Sequence, residues 1–183
     1  MCMGCHGIRG YQSSFPEVHK VPKISGQSAQ YLEAALRAYR AGDRRHPTMR
    51  GISAGLDDGE IARLANYYAG HGRGNSPAPA TPNRSPSPRV ADLLTKGACV
   101  SCHGANFTSP LDPSYPKLAG QYADYLFVAL KAYTVEGNPV VGRAHPVMSP
   151  LAKQFTREEL KAMADYIGSL KGELSVVSGR RLR

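Results

Sequence analysis

Two five-residue stretches, Cys2-Met3-Gly4-Cys5-His6 and Cys99-Val100-Ser101-Cys102-His103, constrain this 183-residue chain more than anything else in it. C-x-x-C-H is the attachment signature of a c-type haem. Two thiols three positions apart can form thioethers to both vinyl groups of one porphyrin, and the adjacent imidazole then falls under the iron as its proximal ligand. Structural zinc sites and thioredoxin-like redox pairs also use C-x-x-C. A zinc ribbon, however, spaces its pairs by roughly 15 to 20 residues, whereas 93 residues separate Cys5 from Cys99. A redox pair has no need of a His directly after it, twice. The expectation is two covalently bound haem c groups, one on Cys2, Cys5 and His6 and one on Cys99, Cys102 and His103. All four cysteines are thereby used, leaving none for a disulfide, a catalytic thiolate or a thiolate ligand.

Every other informative segment also occurs twice. Pro22-Lys23-Ile24-Ser25-Gly26-Gln27 matches Pro116-Lys117-Leu118-Ala119-Gly120-Gln121, and His46-Pro47-Thr48-Met49 matches His145-Pro146-Val147-Met148. The offsets are 97 residues at the haem motif, 94 at the second pair and 99 at the third, so insertions fall in loops. After each Gln an apolar stripe of helical period appears, Tyr31, Leu32, Ala35, Leu36 and Tyr39 in one half and Tyr125, Leu126, Ala129, Leu130 and Tyr133 in the other; Gly42 ends the first. Asp57 with Glu60 and Thr156 with Glu159 are capping-box pairs that open the last helix of each half. Ile61, Leu64, Ala65 and Tyr68, matched by Leu160, Met163, Ala164 and Ile167, face the core from those helices. The segment from Gly7 to Val21 has no periodicity and is expected to be a loop.

This organisation predicts an all-α protein with an N-terminal domain over 1–70, a linker over 71–89, a C-terminal domain over 90–172 and a basic tail over 173–183. Five prolines between Gly70 and Arg89 favour an extended linker, and the tail is expected to fray. Gly70-His71-Gly72-Arg73-Gly74 follows a helix rather than a strand, so it is not read as a phosphate loop. Val90 to Gly97 forms a short helix before the second motif, while only Met1 precedes the first, and missing residues are expected upstream. No apolar run reaches the 18 residues a membrane span needs. Domains of this size bury little core of their own, so each haem is expected to be structural as well as functional.

A haem iron that carries electrons without binding small molecules needs a second axial ligand, and thioether sulfur is the usual choice because it raises the potential. Of the five methionines, Met1 and Met3 lie too close to the first motif to cross to the other haem face, and Met163 sits in a helix face where the first half has Leu64. Met49 and Met148 remain, in loops between the second and last helices. His46 and His145, three residues earlier, are the competitors; the Pro after each favours a turn, where a His more often caps than ligates. His19 and His71 have no counterpart and read as solvated surface. Tyr39 with Tyr133 and Tyr67 with Tyr166 read as core aromatics whose hydroxyls reach an edge, with a hydrogen bond to a haem propionate as the sharper alternative.

Two C-x-x-C-H-G motifs, two P-K-[IL]-x-G-Q segments each followed by a Tyr-Leu helix, and two H-P-x-M loops before capped helices resemble the di-haem cytochrome c4 family. The likeness covers nearly the whole chain and implies two tandem class I cytochrome c-like domains. It implies that the carbonyls of Pro22 and Pro116 accept the Nδ1 proton of the axial histidines. It further implies a periplasmic carrier of single electrons, soluble or peripherally associated with the membrane, feeding a terminal oxidase. The alternative is a cytochrome subunit of a dehydrogenase, flavoprotein or sulfur-compound oxidising. A di-haem peroxidase needs an iron with an open position, and a haem thiosulfate oxidant of the Cys-ligated kind needs a cysteine that this chain lacks. No catalytic residue and no nucleic-acid partner is expected. Residues 1–89 hold twelve Lys and Arg against six Asp and Glu, and the chain carries +9 overall. Arg37, Arg40, Arg44, Arg45 and Arg50 are therefore expected to ring the first haem edge and steer an acidic redox partner there.

Overall fold

The capping pairs set the helix boundaries. Asp57 accepts from the Glu60 N–H at 2.7 Å and Glu60 returns a bond to the Asp57 N–H at 2.9 Å, opening helix α4 over Asp58–Gly70. Thr156 and Glu159 do the same at 3.3 and 2.8 Å for α9 over Arg157–Ser169. Ahead of them run the Tyr-Leu helices, α2 over Ala29–Ala41 and α7 over Ala123–Ala132. The first stops at Gly42, whose φ of 91° is a left-handed conformation that glycine adopts without strain. The haem motifs form the short helices α1, Met3–His6, and α6, Cys99–His103. Ser87 caps α5, Pro88–Lys96, which precedes the second motif.

This computed structural model describes residues 2–72 and 79–178. Arg73 and Gly74 of the glycine run and the tail arginines Arg180, Arg181 and Arg183 lie outside the described residues. The described linker end is fastened to the second half: Asn106 Nδ2 donates to the Pro79 carbonyl at 2.8 Å, and Tyr166 Oη donates to that of Arg84 at 3.0 Å.

The second half has the larger core. Val90, Leu93 and Leu94 of α5 meet Leu126 of α7 and Leu160, Met163 and Ile167 of α9, with Phe107 fully enclosed. In the first half, among the described residues, the buried cluster is Leu32, Ala65 and Tyr68, with Cys2, Met3, Ile24 and Leu64 against it. The difference is the face that α5 supplies. Small domains with so little apolar burial depend on a bound group or a partner surface.

Met49 and Met148 are not in plain loops. Met49 sits in the two-turn helix α3, Pro47–Ala54, and Met148 opens α8, Met148–Ala152. In α3 the hydroxyl of Ser53 is wholly buried with no hydrogen-bond partner, while the matching position of the second half is Ala152, equally buried. Leaving a buried hydroxyl unpaired costs about 1–3 kcal/mol, so Ser53→Ala is expected to raise the unfolding midpoint by a few degrees in thermal denaturation.

Among the described residues four short strands complete the fold. Within the segment expected to be a loop, β1 (Gln12–Ser13) pairs antiparallel with β2 (His19–Lys20). Between the halves, β3 (Arg44–Arg45) pairs antiparallel with β4 (Gly142–Arg143), and Arg44 lies directly opposite Arg143. Ion pairs Lys20–Asp124 at 3.1 Å and Lys131–Glu17 at 2.6 Å also cross this interface. Three expectations are corrected here. His19 is 4% exposed, its Nδ1 donating to the Glu17 carbonyl at 2.8 Å and its ring beside Tyr125 of the other half. His71 stacks on Tyr67 at 4.9 Å and hydrogen-bonds Ser25. The tail as far as Ser178 does not fray: Leu174 is buried, Lys117 pairs with Glu173, and the Ser175 N–H donates to the Ser25 carbonyl at 3.1 Å, tying this segment to the first half.

Candidate haem sites

Each motif helix sets its two sulfurs on one turn and its histidine at the end of that turn. The decisive bond is on the far side of the imidazole. His6 Nδ1 lies 2.7 Å from the Pro22 carbonyl and His103 Nδ1 lies 3.3 Å from that of Pro116. A carbonyl can only accept, so each Nδ1 carries the proton and each Nε2 keeps its lone pair for a metal. Burial pushes both imidazoles below their ordinary pKa, against the opposing pull of these bonds, which favours the neutral form that binds iron.

The remaining chemistry of these clusters suits haem and not its rivals. Burial pushes the Cys99 thiol above its usual value, the reverse of what a redox-active thiolate needs. Among the described residues no group of three or more His, Cys, Asp and Glu is arranged to hold a metal ion. A cavity of about 390 Å3 opens beside Cys2, Cys5 and His6, walled by apolar side chains including Leu32 and Leu36, and Met49 lines it. Sulfurs and imidazole, a thioether and a largely apolar wall are what a covalently held porphyrin requires. An iron held there would supply a centre that cycles between ferric and ferrous states.

The competitors of the methionines are engaged elsewhere. His46 Nδ1 accepts from the Met49 N–H at 3.4 Å, and His145 Nδ1 accepts from the Val147 and Met148 N–H groups at 3.2 Å each. A neutral imidazole accepting at Nδ1 is protonated at Nε2 and has no free lone pair while it caps.

Reading the sequence missed the role of the residues at the seam between the two halves. Arg44 Nη1 donates to Tyr31 Oη at 3.3 Å with its guanidinium 5.8 Å from the Tyr39 ring, and Arg143 Nη2 donates to Tyr125 Oη at 3.0 Å with its guanidinium 5.6 Å from the Tyr133 ring. Among the described residues no carboxylate pairs with either arginine. Burial alone would raise the Tyr31 phenol, but the two guanidiniums win and hold it below its usual value. The signal was present in the sequence, since Arg44 and Arg143 match under the offset of 99. Of the other tyrosines, Tyr67 is 55% exposed and does not belong to the core, and the Tyr166 hydroxyl is spent on the Arg84 carbonyl.

The basic ring expected around the first haem edge is also corrected. Arg44 lies in the interface, Arg45 donates to the Asn138 carbonyl across it at 2.6 Å, and Arg40 and Arg37 are drawn to Asp58. A strand pairing between halves claims the first two, and a local carboxylate claims the others. Arg50 is exposed and makes no ion pair among the described residues.

Comparison with known proteins finds the same family in both halves. The profile of the family described as cytochrome c matches residues 1–70 and again 89–171. A cytochrome c4 of Thiocapsa roseopersicina is 33% identical over 93% of this chain and 87% of its own. A thiosulfate dehydrogenase electron acceptor of Stutzerimonas stutzeri is 30% identical over 92% of this chain and 78% of its own. The solved structure of the Acidithiobacillus ferrooxidans cytochrome c4 superposes with a TM-score of 0.67 at 27% identity, covering 92% of this chain and 98% of that one.

Proposed function

Because the chain belongs to the cytochrome c family, as a di-haem protein of the cytochrome c4 kind with two tandem domains and two covalently attached haem c groups, we propose that it carries single electrons in the periplasm and delivers them to a terminal oxidase. It is an electron-transfer protein and not an enzyme. The observation that carries the reading is the contact of each motif histidine's Nδ1 with a proline carbonyl, at 2.7 and 3.3 Å, which leaves Nε2 available to a metal. In this reading His6 with Met49 and His103 with Met148 are the axial pairs, Cys2, Cys5, Cys99 and Cys102 form the thioethers, and Pro22 and Pro116 orient the imidazoles. Irons so saturated exchange electrons and leave no position for peroxide or a sulfur anion. The domains would run over 1–70 and 90–172, around the linker of 71–89.

A second reading rests on the similarity to a thiosulfate dehydrogenase electron acceptor: the chain would be the outlet of a dehydrogenase, sulfur-compound oxidising or flavin-dependent. Stopped-flow mixing separates the two. Rapid oxidation of the reduced protein by oxidase-containing membranes of its own source supports the first reading. Rapid reduction by a thiosulfate-oxidising extract, with no reaction at the membranes, supports the second.

The net charge of +9 suits an acidic partner in either case. Arg50, exposed one residue from Met49, is a cation placed to meet it near the first haem. Arg50→Glu is expected to slow bimolecular electron exchange with an acidic redox protein several-fold at low ionic strength, with the difference fading as salt rises. A salt-independent rate equal to that of the unaltered protein would remove Arg50 from the docking face.

A further inference from the structure

The two halves meet through a reciprocal ladder. The Lys23 N–H donates to Gln121 Oε1 at 3.0 Å, and Gln121 Nε2 returns a bond to the Lys23 carbonyl at 2.9 Å. The Lys117 N–H donates to Gln27 Oε1 at 2.9 Å, and Gln27 Nε2 donates to the Lys117 carbonyl at 3.0 Å. Contacts i to j and j to i are those of an isologous interface, here formed within one chain.

What matters is which peptide groups the ladder grips. The Lys23 nitrogen and the Pro22 carbonyl belong to one peptide unit. Its oxygen accepts from His6 Nδ1 at 2.7 Å while its N–H is held by a glutamine of the other half. The Pro116–Lys117 peptide stands in the same position between His103 and Gln27. Each motif imidazole is therefore one peptide away from a side chain of the opposite domain. Both glutamines are buried, at 3% and 5% exposure, so water has little access to take over their role.

From this geometry we infer that Gln27 and Gln121 are positioning residues that set the reduction potential of the haem in the opposite domain. The inference rests on His6 and His103 being the axial ligands. A peptide whose N–H donates to an acceptor is polarised, and its oxygen becomes a better acceptor in turn. A stronger bond from Nδ1–H gives the imidazole more imidazolate character and makes it the more basic ligand. That stabilises ferric iron and lowers the potential. Docking of the domains thus holds both irons below the potential each would have alone, and each half reports its contact with the other at its iron.

The test is to make Gln121→Leu and Gln27→Leu in the full di-haem chain and follow each haem separately by its hyperfine-shifted proton resonances during a redox titration. Gln121→Leu is expected to shift the Fe(III)/Fe(II) ratio at fixed potential about threefold toward Fe(II) at the haem on Cys2 and Cys5, leaving the other unmoved; Gln27→Leu is expected to do the reverse. The Nδ1–H resonance of the affected histidine should move upfield as its bond weakens, a change that a merely structural role would not produce. A shift at the haem of the altered residue's own domain, equal shifts at both, or no shift overturns the inference. If leucine disturbs docking, Gln121→Glu keeps an acceptor for the Lys23 N–H, and the His6 Nδ1–H resonance should then stay in place or move downfield; an upfield move there also overturns it. Should the unaltered protein show no Nδ1–H resonance from His6 or His103 among the haem-shifted signals, the ligand assignment itself fails. Resonances that are present but ignore the variants reject only the coupling.

Discussion

In oxidised Met49→Ala, and separately in Met148→Ala, the weak near-infrared band of the Fe(III)–thioether bond is expected to fall to half its intensity, and to vanish when the two changes are combined. One potential of the pair should drop in each single variant. Axial ligand choice spans roughly 0.8 V across haem proteins, and exchange of thioether for water or imidazole uses a substantial part of that range downward. The expectation follows from the two capping histidines. His46 and His145 spend Nδ1 on the backbone N–H groups of Met49 and of Val147 and Met148, so each histidine fixes the start of the methionine's helix and is not free to ligate. If both single variants kept full band intensity and gave a bis-histidine spectrum, His46 and His145 would be the ligands.

Gly172→Ala is expected to destabilise the second domain by about 3 kcal/mol, the upper part of the range for overpacking a close-fitted site. A Cβ at Gly172 would overlap the Ala119 carbonyl oxygen and stand 3.1 Å from the Ala119 side chain. Neither neighbour is the free end of a flexible side chain. The backbone it meets is the turn from Pro116 to Gln121, which holds His103 through Pro116 and reaches Gln27 through Lys117. Displacing that turn should therefore lower the denaturation midpoint of the second domain and broaden the resonances of its haem. Gly51→Ala, where an added Cβ meets no atom within 4 Å, is the control and should be nearly silent or slightly stabilising, since alanine is the better helix former.

What the sequence made legible was the content of each half, and what it hid was how the halves face one another. Capping boxes at Asp57 and Thr156 and the Tyr-Leu stripes are local signals, written within one helix, and the structure has those helices. The haem motifs are equally local. Arg44, by contrast, looked like one of five clustered surface cations, because its partner strand lies 99 residues away and nothing in its own neighbourhood announces the pairing. His19 was misread for the same reason, being buried in part by Tyr125 of the other half. Gln27 and Gln121 were visible as a repeated letter in a repeated motif; their roles appear only when one copy is set against the other. The repetition could have pointed to Arg44, Gln27 and Gln121, since a duplicated polar residue is a candidate for a reciprocal interface, but not to His19, which has no counterpart.

Two saturated irons in one chain should exchange electrons singly. Coulometric titration of the purified holoprotein, followed by its absorption spectrum, measures this. The prediction is two electrons per chain, taken up in two one-electron steps, with both irons low-spin in the oxidised and the reduced state. Uptake of one electron, or a high-spin iron in either state, would contradict it.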